Sequence, residues 1–357
     1  MEISSGLRHY KPVVCVLSSK KADLKKSFEE RGVEVIFLDI KSAFWWIEGA
    51  RKLKEIIMER RPAIVHATLF KSEIITRVAL KKADIPQIGS FVNDSYSKNR
   101  YSQQTLIRNL KLNVIRVADL FTARQVDHFM SITNAIADSN SKALSVDRNK
   151  ITTIYRGRNI EGFRVSYPAQ STPFSFLTVA RLLKRKGYLE LFDACRMLKS
   201  KGYQFKMLIA GDGPDFPLFQ STVSKMQIDE QVTFLKNRSD VPDLLAASHC
   251  FVLPSHYEGQ GGALVEAMLA ARPIIVSDIP VFREQISDGE TGKLFEVFNA
   301  AKLSEQMEWM MNHYEDGISM GQRARKVAVD RFNIEQTIEL HEELYSKIIS
   351  GYSKSVD

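Results

Sequence analysis

Short apolar runs alternate along this chain with stretches of helical spacing, and this alternation restricts the possible folds more than any other feature. Runs at 13–17, 33–38, 63–66, 88–92, 129–132 and 151–155 are separated by helical stretches at 21–31, 47–60, 71–82, 102–128 and 135–145. The pattern breaks at 162–173, where Ser, Pro, Gln and Thr replace periodic apolar residues, as expected of an interdomain linker. It then restarts, with runs at 176–179, 205–210, 232–235, 250–253 and 274–276 between helical stretches at 187–200, 215–226, 241–247 and 263–271. Strands joined through helices predict parallel sheets covered on both faces. A chain of 357 residues has room for two such sheets. The expected class is α/β, two Rossmann-like domains facing a cleft, with ligands held at the carboxyl ends of the strands. The domains are expected at 1–165 and 166–328, followed by a terminal segment at 329–357.

Charge divides along the same line. Residues 1–165 carry a net +12 and residues 166–357 a net −4. Such asymmetry suits a first half that faces something anionic, whether a phosphate-linked substrate or a lipid headgroup, although solvated helix faces also produce it. Phe44-Trp45-Trp46, beside Lys41, Arg51, Lys52 and Lys54, joins aromatic and cationic character, and the 102–128 stretch adds Arg108, Lys111, Arg116 and Arg124. A peripheral position on an anionic membrane is the expectation, with one of the two tryptophans packing inward. No apolar run reaches the ~20 residues a membrane-spanning helix needs, and the opening residues lack the pattern of a signal peptide. Cys15, Cys195 and Cys250 form no paired motif, as suits reduced thiols in the cytoplasm. No nucleic-acid-binding motif is present.

Four loops in the second half follow predicted strands and carry the chemistry. Glu258-Gly259-Gln260-Gly261-Gly262-Ala263-Leu264-Val265-Glu266 places a glycine turn and a helix start between two carboxylates. The turn and the helix N-terminus offer N–H groups and partial positive charge to a phosphate, and the carboxylates can hold hydroxyls. Arg181 and Lys186 lie in the loop after 176–179, where two cations can neutralise a departing diphosphate. Gly211-Asp212-Gly213-Pro214 is a tight turn into a helix, and Asn237-Arg238 follows the next strand. Each loop alone is as readily structural as functional; four strand ends of one sheet together point to a sugar-nucleotide site. No Asp-x-Asp occurs, so no metal-clamped sugar nucleotide and no cofactor is expected. Glycosidases also use paired carboxylates, but an acid inside a helix beside a phosphate loop is badly placed to flank one glycosidic bond.

These motifs resemble the donor domain of retaining glycosyltransferases of family 4, which have the GT-B fold; the likeness covers about 174–350. It extends to Ile279-Pro280-Val281-Phe282-Arg283-Glu284 and Asp288-Gly289-Glu290-Thr291-Gly292. The resemblance implies that Arg181 and Lys186 hold the diphosphate, that Glu258 contacts the donor sugar and that Glu266 accepts from the ribose hydroxyls. It gives Gly259, Gln260, Gly261, Gly262 and Leu264 to the sugar and phosphate contacts, and Gly211, Asp212, Gly213, Asn237 and Arg238 to the rest of the donor site. It makes 332–349 the helix that crosses back to the first domain. In the first half the likeness is looser. Asn93 and Asp94 stand where many members have a histidine lining the cleft, and Arg156 and Gly157 replace a common asparagine-glycine pair. His66 is a further acceptor-side candidate, although a structural role suits it as well. The family's first strand, glycine-rich loop and most of its first helix have no counterpart before 12–17. The first sheet is therefore expected to be one strand short, either by truncation or because this branch dispenses with that unit.

The implied activity is transfer of a hexosyl unit from a nucleotide diphosphate sugar to a glycan or lipid-linked acceptor, with retention and without metal, in cell-surface polysaccharide synthesis. The alternative is a non-catalytic nucleotide-sugar-binding subunit or an inactive truncated homologue.

Overall fold

The computed structural model describes residues 2–19, 25–81, 83–102, 104–170 and 173–352. Positions 21–24, Lys82, Gln103 and 171–172, which belong to predicted helices and to the predicted linker, lie outside the described residues. The chain forms two compact units, 1–157 with 334–357, and 158–333.

The first unit runs α1 (Glu2–Gly6), β1 (Val13–Val16), α2 (Lys25–Glu29), β2 (Glu34–Phe37), α3 (Trp45–Arg60), β3 (Val65–His66), α4 (Phe70–Ala79), β4 (Gln87–Phe91), α5 (Lys98–Ser102), α6 (Leu106–Ala123), β5 (His128–Ser131), α7 (Asn134–Leu144) and β6 (Ile151–Thr153). All pairings are parallel, in two pieces: β1 with β2, and β3-β4-β5-β6 in order. One apolar cluster serves both pieces. Leu38, Leu53, Ile57 and Ile75 are buried in it, and Cys15 of β1 and Val65 of β3 pack against it. So β1 and β3 share a core without sharing a ladder. Trp45 also packs against this cluster, while Trp46 and Phe44 are exposed.

The single helix predicted over 102–128 is shorter: α5 ends at Ser102, and α6 starts at Leu106 and stops at Ala123. The chain turns there because Asp127 accepts the Gln87 N–H at 2.8 Å, which starts β5 beside β4.

The second unit runs β7 (Phe174–Val179), α8 (Tyr188–Ser200), β8 (Phe205–Ala210), α9 (Phe216–Lys225), β9 (Val232–Lys236), α10 (Val241–Ala247), β10 (Cys250–Leu253), α11 (Gly262–Leu269), β11 (Ile274–Ser277), α12 (Pro280–Arg283), β12 (Lys293–Phe295), α13 (Ala300–Asn312) and α14 (Tyr314–Arg331). The last helix of the chain, α15 (Ile334–Gly351), belongs to the first unit. The sheet of the second unit is parallel and ordered β12-β11-β10-β7-β8-β9. Every residue of β10 and β11 is buried, as continuous apolar runs require of central parallel strands. Order reverses between β7 and β10: from β7 the chain builds outward through β8 and β9, then returns to β10 on the other side. Loops leaving adjacent strands in opposite directions open a crevice at that point.

Candidate active site

The loops after β10, β7, β8 and β9 leave consecutive strands at one edge of the second sheet. They are tied together by backbone groups. The Gly211 N–H donates to Lys236 O at 2.7 Å, the Leu182 N–H to Asp212 O at 3.0 Å and the His256 N–H to Arg185 O at 2.9 Å. Two glycines make this packing possible. Gly187 has φ +73°, and a Cβ there would lie 1.9 Å from Pro254 O; Gly211 has φ +146°, and its Cβ would lie 2.0 Å from Ala180 O. Any other residue would force these strand ends apart.

At the β7–β10 reversal the Lys186 ammonium donates to Glu258 Oε1. Ser255 Oγ donates to the same oxygen at 2.8 Å, and Arg185 Nη1 lies 3.9 Å from Oε2. The side chains of Lys186 and Glu258 are only 12 and 8% exposed. Burial pulls the Lys186 ammonium below its ordinary value, the Glu258 carboxylate opposes that, and Arg185 and Arg181 reinforce it. Arg185 also stacks over the Tyr257 ring, 5.1 Å from its centroid. Arg181 sits at the end of β7 with an exposed side chain. The loop therefore presents four cations, Arg181, Lys184, Arg185 and Lys186, with Lys186 and Arg185 turned to Glu258.

The turn continues into α11. Gly261 has φ +77° and precedes the helix; Gln260 is buried, and its carbonyl accepts from Gln285 Nε2 at 2.6 Å. Glu266 lies one turn into α11, where its Oε1 accepts from Arg158 Nε at 2.9 Å. Arg158 also covers the start of the helix, since a Cβ on Gly262 would fall 2.3 Å from its Nη2. A guanidinium thus lies at the positive end of a helix, beside a carboxylate, which suits a site for anionic and hydroxylated ligand groups. Leu264 is fully buried and supports the turn from below. Gly213 packs against Leu182 O, and its N–H donates to Asp212 Oδ1 at 2.7 Å. Asn237 and Arg238 are exposed, and Arg238 pairs with Asp240.

The acceptor-side candidates belong to the first unit, at the carboxyl ends of the four-stranded sheet. His66 ends β3, with Nδ1 2.7 Å from Tyr345 Oη and Nε2 2.7 Å from Ser90 Oγ. Burial, reinforced by His341, drives the imidazole down to about 3, so it is neutral at pH 7. Asp94 follows β4 and accepts from Ser139 Oγ at 2.6 Å; burial raises its carboxyl. The Asn93 carbonyl accepts from Asn140 Nδ2 at 3.2 Å. Arg156, beyond β6, is exposed.

Residues that sequence reasoning passed over are Arg158, Arg185, Ser255 and Gln285. Arg158 stands two positions after the candidate Arg156, and Arg185 directly before Lys186, so both were within the motifs already singled out. Ser255 and Gln285 carry no sequence signal; only the fold brings them to the loop.

A parallel α/β unit with cations and two carboxylates at its topological switch point, joined in one chain to a second parallel α/β unit, defines a GT-B-type protein. The profile described as Glycosyltransferase Family 4 matches residues 7–161, and that described as Glycosyl transferases group 1 matches residues 159–327. The chain belongs to these GT-B glycosyltransferases. Among solved structures, that of Anabaena HepE in complex with UDP and glucose superposes with a TM-score of 0.81 at 17% identity, covering 97% of this chain and 94% of that one. The N-acetyl-alpha-D-glucosaminyl L-malate synthase of Bacillus anthracis is 26% identical over 68% of this chain and 63% of its own length. The N,N'-diacetylbacillosaminyl-diphospho-undecaprenol alpha-1,3-N-acetylgalactosaminyltransferase of Campylobacter jejuni is 24% identical over 98% and 95%. The chain spans between about half and two thirds of the length of the first curated relatives it matches.

Proposed function

We propose that the protein transfers a hexosyl unit from a nucleotide diphosphate sugar to a hydroxyl of a glycan or lipid-linked acceptor, with retention and without a metal, in cell-surface polysaccharide synthesis. The observation that carries this is the Lys186–Glu258 pair at the strand-order reversal, flanked by Arg185 and by the start of α11. In this scheme the sugar C1–O bond to the β-phosphate breaks and the diphosphate keeps the electron pair. Lys186 and Arg181 neutralise it, helped by N–H groups of the 259–262 turn. The acceptor oxygen bonds to C1 on the face the diphosphate leaves, and its proton passes to a departing phosphate oxygen. Glu258 orients the sugar, and Glu266 takes the ribose hydroxyls. Gly211, Asp212, Gly213, Asn237 and Arg238 complete the donor contacts, and Asn93, with Asp94, His66 and Arg156, serves the acceptor. UDP in HepE and undecaprenol-linked acceptors in relatives support this assignment.

Among the described residues no helix is long and apolar enough to cross a membrane. We place the protein in the cytoplasm, peripheral to the inner membrane face through its basic first unit. The exposed Phe44 and Trp46, with Lys71 over the Trp45 ring at 5.3 Å, support this.

Calorimetry with UDP, GDP and ADP followed by donor turnover tests the proposal. Glu258→Ala or Lys186→Ala should abolish most turnover and leave the fold intact; full activity in both sinks it. The division of the first sheet into two pieces favours one second reading, a subunit that binds nucleotide sugars without turnover, for which binding would be seen and transfer would not.

A further inference from the structure

Helix α6 carries an apolar face that none of the described residues covers. Leu106, Ile107, Leu110, Val114, Val117 and Phe121 are each between 49 and 88% exposed. At 3.6 residues per turn these six fall within an arc of roughly 100°. Leu112, Asp119 and Ala123 occupy the opposite side and are buried. The helix cannot roll to hide the apolar arc, because Asp119 is pinned: it accepts from Arg77 Nη1 at 2.5 Å and from Tyr96 Oη at 2.8 Å. Such an arc, unrelieved by any polar residue, is rare on a protein surface exposed only to water.

The surrounding charge selects the occupant. From residue 98 to 126 the cations are Lys98, Arg100, Arg108, Lys111, Arg116 and Arg124, and the single acid is Asp119, which is buried. The exposed surface of this segment therefore carries cations alone. A second copy docked on the same face would bring like charges together, with no exposed acid on either helix to pair them. An anionic lipid surface meets both demands: acyl chains cover the apolar arc and headgroups take the cations.

We propose that α6 is a membrane-docking wedge. It lies in the plane of the interface with the arc at Leu106, Leu110, Val117 and Phe121 sunk among anionic lipids. This rests on the peripheral-membrane reading above and gives it a surface and an orientation.

The test uses the full chain, with flotation on vesicles of phosphatidylcholine alone and of phosphatidylcholine with phosphatidylglycerol, while UDP binding is followed by calorimetry. The unaltered protein should partition at least about tenfold more strongly onto the anionic vesicles, and salt should weaken it. The double variant Leu110→Asn/Val114→Asn and the single variant Lys111→Glu should each lose roughly tenfold in partitioning, with UDP affinity unchanged. Unchanged far-UV circular dichroism and an unchanged melting transition show that the first unit of each variant is folded, and retained UDP binding shows the same of the second. No partitioning by a protein that binds UDP overturns the wedge. So does a dimer that Leu110→Asn/Val114→Asn dissolves in the absence of vesicles, because a second copy then covers the face. Anionic partitioning by a protein that binds no nucleoside diphosphate upholds the wedge and overturns the donor-site proposal.

Discussion

Removing one partner of the Lys186–Glu258 pair should be worse for stability than removing both. Each side chain is about nine-tenths buried, so deleting one leaves the other charged, desolvated and short of its main partner. Breaking a buried pair in this way costs about 3–5 kcal/mol. Taking about 3 kcal/mol, and roughly 2–4 °C per kcal/mol for a unit of this size, Lys186→Met or Glu258→Gln should lower the melting temperature of the second unit by roughly 6–12 °C. Lys186→Met/Glu258→Gln should recover much of that, with a coupling energy of about 2 kcal/mol. On the proposed role of Lys186 in neutralising the leaving diphosphate, activity should show no such recovery, and turnover should fall by roughly 10²–10³. The pH dependence has a definite sign. The folded pKa of Lys186 lies below its unfolded value, so between the two the unfolded chain binds more protons and stability rises with pH. Glu258 is the main group holding that pKa up, so Glu258→Gln should lower it further and start the alkaline rise at lower pH. Thermal melts of the four proteins across pH 7 to 10 measure all of this. Strictly additive stabilities, or single variants as stable as the unaltered protein, would refute the reasoning.

Gly187→Ala should destabilise the second unit and abolish UDP binding together, since its Cβ would strike the Pro254 carbonyl and φ is +73°; a variant with unchanged melting and affinity would contradict this. Arg158→Met should weaken UDP more than uridine, because the guanidinium sits at the start of α11 where phosphate is expected; equal losses for both ligands would assign Arg158 to holding Glu266 alone. His66 and His341 are both pushed below the ordinary imidazole value by burial, His66 to about 3. Their contribution to the first unit is complete above about pH 6.5 and is lost as pH falls toward the folded values. Urea unfolding followed from pH 7 to 4.5 should show that loss, at up to about 1.4 kcal/mol per pH unit for each histidine, and His66→Asn should flatten it.

The strand–helix alternation was legible because each apolar run is bounded by Gly, Pro or a charged helix. The runs at 205–210 and 250–253 match β8 and β10 residue for residue. The four candidate loops were legible only as a group: each alone reads as readily structural as functional, but all four leave strand ends at one edge of one sheet. What lay beyond reach is what depends on strand order. Nothing in the sequence places β10 beside β7, and only that neighbourhood brings Lys186, Arg185 and Ser255 onto one carboxylate. Arg158 is similar, since a cation outside the loop is recognisable as part of the site only once its side chain is seen to reach Glu266.

The first unit was harder for a different physical reason. Its strands lie in two pieces, β1–β2 and β3-β4-β5-β6, over one shared apolar cluster. A parallel strand is stabilised by ladder bonds on both sides and by burial on both faces. In this unit Val13 to Val16 has a ladder on one side, and none of its four residues is fully buried. Helix α3 offsets this by packing across the cluster that Cys15 and Val65 share, with Leu53 and Ile57 beneath them. The consequence is uneven stability. The second unit has a continuous six-stranded core, whereas β1, β2 and the helices around them depend on side-chain packing without a common ladder. In native-state hydrogen exchange, amides of β1 and β2 should therefore open well before those of β7, β8 and β10. Equal protection in the two sets would mean that packing under α3 alone holds the first sheet as firmly as a ladder would.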